Sequence, residues 1–168
     1  MKRGTEFIFG ILALSLLFGI TGFVLAQTTQ STTASVTVNE FLSVTLSNAP
    51  VTFSSMDPGE TQNASVGNGF PLNATIGSET NVNTNVTTET NQTNFASGSN
   101  TFSVSNMVWE DVVFNSTETG TAYSTSPATV CSGLSANGNC GIYHQVSVPS
   151  AQAAGTYNVG ITVSAIKA

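Results

Sequence analysis

Charged residues are scarce in this sequence, and basic residues are the scarcest. Only 7% of the 168 residues are charged, with three Lys or Arg against nine Asp or Glu, whereas ordinary soluble domains carry about 25%. Beyond residue 26 a single lysine, Lys167, stands against eight carboxylates, which gives a net charge of −7. Nucleic-acid binding needs clustered Lys or Arg to neutralise phosphates. That class of protein is therefore excluded, and so is a basic membrane-surface patch.

Residue types that carry catalysis are almost as scarce. His144 is the only histidine, and it shares an alternating face with Ile142 and Val146, a position typical of a core residue. Catalysis needs a base held against a nucleophile, and no serine stands in a nucleophile-elbow sequence. Glu110 and Asp111 are adjacent, so on a strand they would point to opposite faces. We therefore expect no enzymatic activity, no cofactor and no metal site.

Cys131 and Cys140 are the only cysteines. In an exported chain, an even pair at short separation predicts a disulfide. The residues between them are rich in turn formers, and Asn137-Gly138 is a strong turn signal. Two cysteines and one histidine are too few to close a zinc shell.

The sequence does have a three-part export signal at its start. Two basic residues precede an apolar run from Phe7 to Leu25, and residues 24–26 present small side chains where a signal peptidase cuts. Residues 1–26 are thus predicted to be a signal peptide, and cleavage between Ala26 and Gln27 would place the product outside the cell.

Two other fates of this segment stay open. The apolar run is longer than the roughly 7–15 residues usual in a signal and approaches the roughly 20 that span a bilayer. Residues 7–25 could therefore remain as a membrane anchor. Cleavage after Gly4 would instead resemble type IV prepilin processing, with the helix retained in a filament core. Glu6 lies closer to that cut than the glutamate of bacterial pilins does.

Alternation of apolar and polar residues dominates beyond residue 26 and predicts strands. The clearest cases are 140–148, where even-numbered residues share an apolar face, and 157–165. Short strands with turns about every 8–12 residues predict an all-β fold, a single β-sandwich of jelly-roll or immunoglobulin-like type over residues 41–168. Further strands are expected at 34–38, 42–46, 51–53, 70–76, 82–86, 102–109 and 112–114, with a turn at 57–59.

Residues 27–40 form a leader that we expect to contain a donor strand. The leader is uncharged, β-prone and free of Pro and Gly up to its first charge, Glu40, and Ala34, Val36 and Val38 share one face. Natural monomers place charges or proline on exposed strands, which prevents those strands from pairing with another chain. Such a segment can complete the sheet of a neighbouring subunit, and head-to-tail addition generates a fibre. The alternative is a disordered tail and a strand that pairs within its own sheet.

Five sequons are chemically competent acceptors of N-linked glycans in an exported chain. Their number is what the abundance of Asn, Ser and Thr gives by chance, so the count is not itself a sign of modification. The two in the most polar stretch, at Asn85 and Asn91, are the strongest. The acceptor residues are Asn63, Asn73, Asn85, Asn91 and Asn115.

An export signal, a short polar leader, an alternating first strand and a Ser/Thr/Asn-rich sandwich together resemble archaeal surface-filament subunits of the bundling-pilus and thread type. Those subunits are similar in fold to the bacterial biofilm-fibre protein TasA. The ending Val148-Pro149 to Val163 also resembles the last hairpin of many secreted β-sandwich modules. The resemblance implies that the N-terminal strand of one subunit, within Gln27–Val38, fills a groove in the next.

These features lead to the expectation of an exported structural protein that self-associates into an extracellular filament or surface layer. The first alternative is a membrane-anchored or secreted adhesin whose loops bind glycans or other cells. The second is a type IV pilin-like subunit that keeps its N-terminal helix. No nucleic-acid partner is expected, and contact with a membrane is expected only through residues 7–25 if they are not removed.

Overall fold

The computed structural model describes residues 33–64, 71–114 and 119–168. The predicted signal peptide, both cleavage positions and the first residues of the leader lie outside this part of the chain, as does the acceptor residue Asn115. The chain divides into two compact units at Thr37/Val38. Residues 33–37 of the first unit belong to no strand, and all the strands described below lie in the second unit.

The second unit is built from antiparallel strands, as the alternating sequence predicted. One short 3₁₀ turn, Val104–Asn106, interrupts them. In order, the strands are β1 Val44–Ser47, β2 Thr61–Asn63, β3 Leu72–Ile76, β4 Thr84–Thr90, β5 Asn94–Ser97, β6 Asn100–Ser103, β7 Met107–Glu110, β8 Thr121–Ala122, β9 Ala128–Leu134, β10 Asn139–Ser147 and β11 Ile161–Lys167.

Two sheets and one hairpin account for these strands. The larger sheet has the order β1-β3-β10-β7-β8, with β2 also paired to β10, and the smaller has the order β11-β4-β9. Strands β5 and β6 form a separate hairpin. Both sheets contribute to one core, since Ile76 and Ile142 of the larger sheet are buried in the same cluster as Val86 of the smaller. The fold is therefore all-β and resembles a sandwich.

Strand β10 has the face that its sequence predicted. Cys140, Ile142, His144 and Val146 are buried, and the residues between them are only partly covered. Strand β3 repeats the pattern through Leu72, Ala74 and Ile76. Period-two burial on both strands places one apolar face of the larger sheet against the core.

Strand β4 departs from the prediction because it is long, central and polar. A strand was expected around residues 82–86, followed by a loop, but β4 runs on to Thr90 between β11 and β9. Its buried face carries threonines, and Thr84, Thr88 and Thr90 are almost fully covered. Each hydroxyl is satisfied internally; that of Thr90 lies 2.9 Å from the carbonyl of Gln92 and 3.1 Å from that of Ser124, and its single proton is shared between them. Threonine is β-branched and packs well on a strand once its hydroxyl is bonded.

Three expected strands do not form within the described residues. Residues 34–38, 51–53 and 112–114 belong to no strand. Strand β9 was not anticipated, and β11 begins at Ile161 rather than at residue 157. The turn at Pro58-Gly59 is present, with Gly59 at φ 89°. The expected 42–46 strand appears as β1, two residues later at its start.

Cys131 and Cys140 form a disulfide, with their Cα atoms 6.0 Å apart. The turn between them includes Asn137 at φ 61°, a left-handed conformation that asparagine tolerates. Strands β9 and β10, which this turn connects, do not form a hairpin. In the strand ladders, Cys131 of β9 lies opposite Val86 of β4, whereas Cys140 of β10 lies opposite Ala74 of β3. The disulfide therefore links the two sheets.

Candidate functional site

The leader residues 33–38, called here the donor segment, have no strand partner in the described part of the chain. Val36 is 88% exposed and Val38 is 74% exposed. Ala34 is exposed as well. Burying an aliphatic side chain stabilises a fold by about 1.5–3 kcal/mol. The two exposed valines do not contribute this free energy, which is unusual for a segment with the alternation of a strand in a monomer.

The chain becomes attached to the second unit immediately after the donor segment. We call residues 39–43 the root and residues 77–81 the clamp loop. The side-chain Oδ1 of Asn81 accepts from the amide of Phe41 at 2.8 Å, and its Nδ2 donates to the carbonyl of Asn39 at 2.9 Å. The main-chain amide of Asn81 donates to the carbonyl of Phe41 at 3.2 Å. Asn81 thus bonds to the root as a paired strand would.

An open cavity of about 580 Å³ lies on the second unit. Segments distant in sequence line it, namely residues 51–58, residues 152–159, Phe95 and Phe102 of the β5–β6 hairpin, and the single residues Met107, Val146, Val148 and Ile161. Phe95 and Phe102 stack with ring centroids 4.7 Å apart, and Tyr157 tilts against Phe102 at 5.2 Å. Asp57 is the one charged side chain among the described residues that line the cavity. The cavity is therefore mixed in polarity but nearly uncharged.

Residues 51–56, beside this cavity, turn an apolar face inward. Val51, Phe53 and Met56 are half-buried and pack against the core, whereas Ser54 and Ser55 are exposed. The strand predicted at 51–53 does not form, since these residues belong to no strand. The amide of Ser54 donates to the side-chain Oε1 of Gln62 at 3.0 Å. The stretch thus contributes apolar side chains to the wall of the cavity.

Beneath the two sheets, His144 takes part in a buried polar chain that crosses the core. Its Nε2 lies 2.8 Å from the hydroxyl of Tyr123, which lies 3.2 Å from the hydroxyl of Thr88. The Thr88 hydroxyl also donates to the carbonyl of Thr162 at 3.4 Å. One consistent arrangement has each group donating to the next, from the histidine through Tyr123 and Thr88 to that carbonyl. It leaves Nδ1 as an acceptor without a hydrogen-bond partner in the described part of the chain.

Burial governs the ionisation of both aromatic members of this chain. Desolvation lowers the pKa of His144 to about 4, against a smaller opposing effect from the backbone of Ile142, whose carbonyl does not meet hydrogen-bond geometry with Nδ1. Desolvation also raises the pKa of Tyr123 well above its ordinary value, and the hydrogen bond with Thr88 opposes that shift. Both side chains are thus neutral near pH 7. The histidine is a core residue, as its position on the alternating face predicted.

The structure separates the described sequons by their surroundings. Asn63 and Asn91 are exposed, whereas Asn73 and Asn85 are half-buried within β3 and β4. The Oδ1 of Asn85 accepts from the amide of Gly133 at 3.0 Å, and that of Asn91 accepts from the amide of Gly160 at 3.0 Å. Of the two sequons favoured by sequence, Asn91 is therefore the more accessible.

The described residues contain neither a metal-binding cluster nor a membrane-spanning helix. No group of three or more His, Cys, Asp or Glu in residues 33–64, 71–114 and 119–168 could hold a metal ion. In those ranges no helix is long and apolar enough to cross a membrane.

The sequence predicted the disulfide and the core position of His144, but it did not point to two other residues of these bonded clusters. Asn81 and Tyr123 bond to residues 40 and 21 positions away in the chain. Neither stands in a motif, and no local pattern marks such long-range partners. The single signal was that Tyr123 is an isolated aromatic residue in a polar stretch.

Comparisons with known proteins add little to this geometry. No family model matches the chain, and no curated protein matches it. Among solved structures, a family 123 glycoside hydrolase from Clostridium perfringens, studied for hydrolysis of glycolipid glycans, is similar at a TM-score of 0.38 and 16% identity. The likeness covers 66% of this chain and 19% of that one. A similarity of this extent carries no inference about activity.

Proposed function

We propose that the protein is an exported structural subunit that assembles head to tail into an extracellular filament by strand addition. The donor segment of one subunit, residues 33–38, would lie in the open cavity of the next. The observation that carries this proposal is the exposure of Val36 and Val38 in an uncharged, alternating segment without a strand partner in the described chain.

The donor side of this contact has the chemistry of an added strand. Ala34, Val36 and Val38 recur with the period of two that puts them on one face of a strand. No charge occurs between Gln27 and Asn39, so no ion would have to be desolvated when the donor segment docks. Strand addition uses main-chain hydrogen bonds for affinity and pockets for alternate side chains for specificity.

The acceptor side matches the donor segment in its lack of charge. The open cavity is nearly uncharged, with Asp57 as the one charged side chain among the described residues that line it. Phe95, Phe102 and Tyr157 offer an aromatic surface on which aliphatic side chains can pack. Because donor and acceptor lie on different parts of one chain, the contact is heterologous, and repetition without closure yields a fibre.

The surface composition supports the same class of protein. Low charge and abundant Ser, Thr and Asn suit a protein whose faces are covered by neighbours or glycans rather than kept apart by charge. Outside the cell, an intersheet disulfide is stable. The adhesin and the pilin-like subunit remain the alternatives that N-terminal processing would separate.

The N-terminal residue of the mature protein is the first test. Edman degradation or mass spectrometry should find Gln27, whereas Thr5 would indicate the pilin-like alternative and Met1 a retained anchor. The mature protein should then form filaments visible by electron microscopy, and a variant lacking residues 27–38 should remain monomeric with a cooperative unfolding transition. Filaments formed equally well by this truncated variant would refute strand addition.

Point variants test each side of the contact without removing residues. Val36→Asp with Val38→Asp places charge on the exposed donor face, and Ser55→Arg places charge at an exposed position that lines the cavity. Both should abolish assembly with Tm unchanged. Thr101→Arg is the matched control, because Thr101 is exposed and does not line the cavity. Assembly by the Ser55→Arg variant at the rate of this control would exclude the cavity as the acceptor.

A further inference from the structure

The clamp loop bonds to the root at every second root residue. Besides the three Asn81 contacts, the amide of Gly77 donates to the carbonyl of Ser43 at 3.0 Å, and the amide of Ser43 donates to the hydroxyl of Thr80 at 3.3 Å. The bonded root residues are therefore 39, 41 and 43. Contacts at every second residue are those of a strand edge, although residues 39–43 belong to no strand.

Lys167 adds an ion pair to the same place. It is the one basic residue between Gln27 and Ala168, and it pairs with Glu40, the first charged residue after the donor segment. Both side chains are more than half exposed, at 59% and 62%. Exposed ion pairs contribute little to the stability of a fold, so the placement of this pair at the root calls for another explanation.

We propose that the clamp loop and Lys167 anchor the donor segment, so that the direction in which the chain leaves the domain is fixed before a neighbouring subunit is met. This inference rests on the proposed function, because the segment to be anchored is the one proposed to enter the next subunit. The partner recognised is a second copy of this chain, and Asn81 acts as a positioning residue for that contact.

One physical effect makes such an anchor useful. Ordering one residue of flexible backbone costs about 1–2 kcal/mol, and a root that is already ordered spares this cost when the donor segment docks. Five hydrogen bonds between the root and the clamp loop supply that order before docking.

Asn81→Ala tests the anchor in the full mature chain, because it removes both side-chain bonds to Asn39 and Phe41. Below the assembly threshold, the Phe41 amide should exchange hydrogen roughly tenfold faster. The critical concentration for polymerisation should rise roughly tenfold, as expected when about one residue of order must be regained on docking. Asn106→Ala is the control, since it removes an exposed Asn-to-carbonyl bond, to Ser103, in a different part of the chain. Its Tm and critical concentration should match those of the native sequence.

Charge exchange tests the ion pair and supplies a second route if Asn81→Ala fails to fold. Lys167→Glu opposes Glu40 with like charge and should raise the critical concentration, and the double variant Glu40→Lys with Lys167→Glu should restore it. Because the double variant also restores the native net charge, the matched control is Asp111→Lys with Lys167→Glu, which restores that charge at an exposed position without restoring the pair. This control should not lower the critical concentration to the native value.

The results distinguish this inference from the function on which it rests. Faster hydrogen exchange at Phe41 with an unchanged critical concentration in Asn81→Ala would overturn the anchor. An equal rise of the critical concentration in the Asn106→Ala control would do the same. So would a double charge-exchange variant whose critical concentration stays as high as that of Lys167→Glu. Filaments that require residues 27–38 but ignore Asn81 would leave strand addition standing and the anchor refuted. Absence of filaments from the native mature chain would refute both.

Discussion

The hydroxyl of Tyr123 lies 2.8 Å from Nε2 of His144 in the core, and it connects that histidine on β10 with Thr88 on β4. The two strands belong to different sheets. The rings of Tyr123 and His144 are nearly parallel, at 7°, with centroids 5.8 Å apart. Hydrogen bonding and stacking thus join the sheets at a point where aliphatic packing alone would leave polar atoms unpaired.

Tyr123→Phe should destabilise the domain by about 1–3 kcal/mol, because the imidazole and the Thr88 hydroxyl lose a buried partner while the ring is kept. Denaturant unfolding would measure the loss as a lower midpoint with unchanged slope. Tyr143→Phe is the control. Tyr143 lies next to His144 on β10 but on the partly exposed face, and its hydroxyl should matter by less than about 0.5 kcal/mol. Equal effects of the two variants would contradict the role assigned to the buried chain.

Acid should weaken the domain through His144. Its pKa is about 4 in the folded state against an ordinary 6.5, so the unfolded chain binds the extra proton first as the pH falls. The stabilisation is complete above pH 6.5 and is lost progressively down to about pH 4, by about 3 kcal/mol in total. Free energies of unfolding across this range would show the loss.

The matched variant for this pH dependence is His144→Gln, which keeps a side-chain amide near Tyr123 but cannot titrate. The difference between native and variant stabilities should shrink as the pH falls from 7 to 4. A difference that stays constant over this range would show that the histidine does not titrate as its burial implies.

Removing the disulfide by Cys131→Ala with Cys140→Ala should cost about 2–3 kcal/mol. The cysteines are nine residues apart in sequence, and closing a loop of that length restricts the unfolded chain by about this amount. A Tm lower by roughly 10 °C is expected for a domain of this size. Because the bond ties β9 to β10 across the sheets, treatment of the native protein with reductant should reproduce the double variant. A shift under 2 °C would contradict this prediction.

The fold could be predicted from sequence where side-chain burial follows hydrophobicity. Alternating aliphatic residues identified the inward face of β10, including His144. Strand β4 shows the limit of this reasoning, since threonines occupy its buried face. A threonine can be buried only where its hydroxyl has a hydrogen-bond partner. The partner of Thr88 is Tyr123, which is distant in sequence and therefore not visible in the local pattern.

The candidate site, too, was predictable from sequence in one part and not in the other. Local pattern was enough to single out the donor segment, because absence of charge and period-two alternation are visible over a few residues. The open cavity and the clamp loop were not predictable, since each forms only when separate segments meet. Residues 51–53 show the same limit, because their local pattern predicted a strand and they belong to none.

Salt should promote assembly of the mature subunit. Residues 27–168 carry a net charge of −7, and like-charged subunits repel over a Debye length of about 30 Å at 10 mM salt but only about 8 Å at 150 mM. Light scattering should therefore show faster polymerisation as NaCl rises through this range. Glu110→Gln with Asp111→Asn changes the net charge to −5 and should flatten the dependence. Glu110 ends β7, Asp111 follows it, and neither residue lines the cavity. The Glu40–Lys167 pair opposes this trend, since salt also screens an exposed ion pair, but such pairs contribute only about 0–1 kcal/mol. Faster assembly at the lowest salt would mean that attraction between charges, rather than uncharged strand pairing, drives the contact.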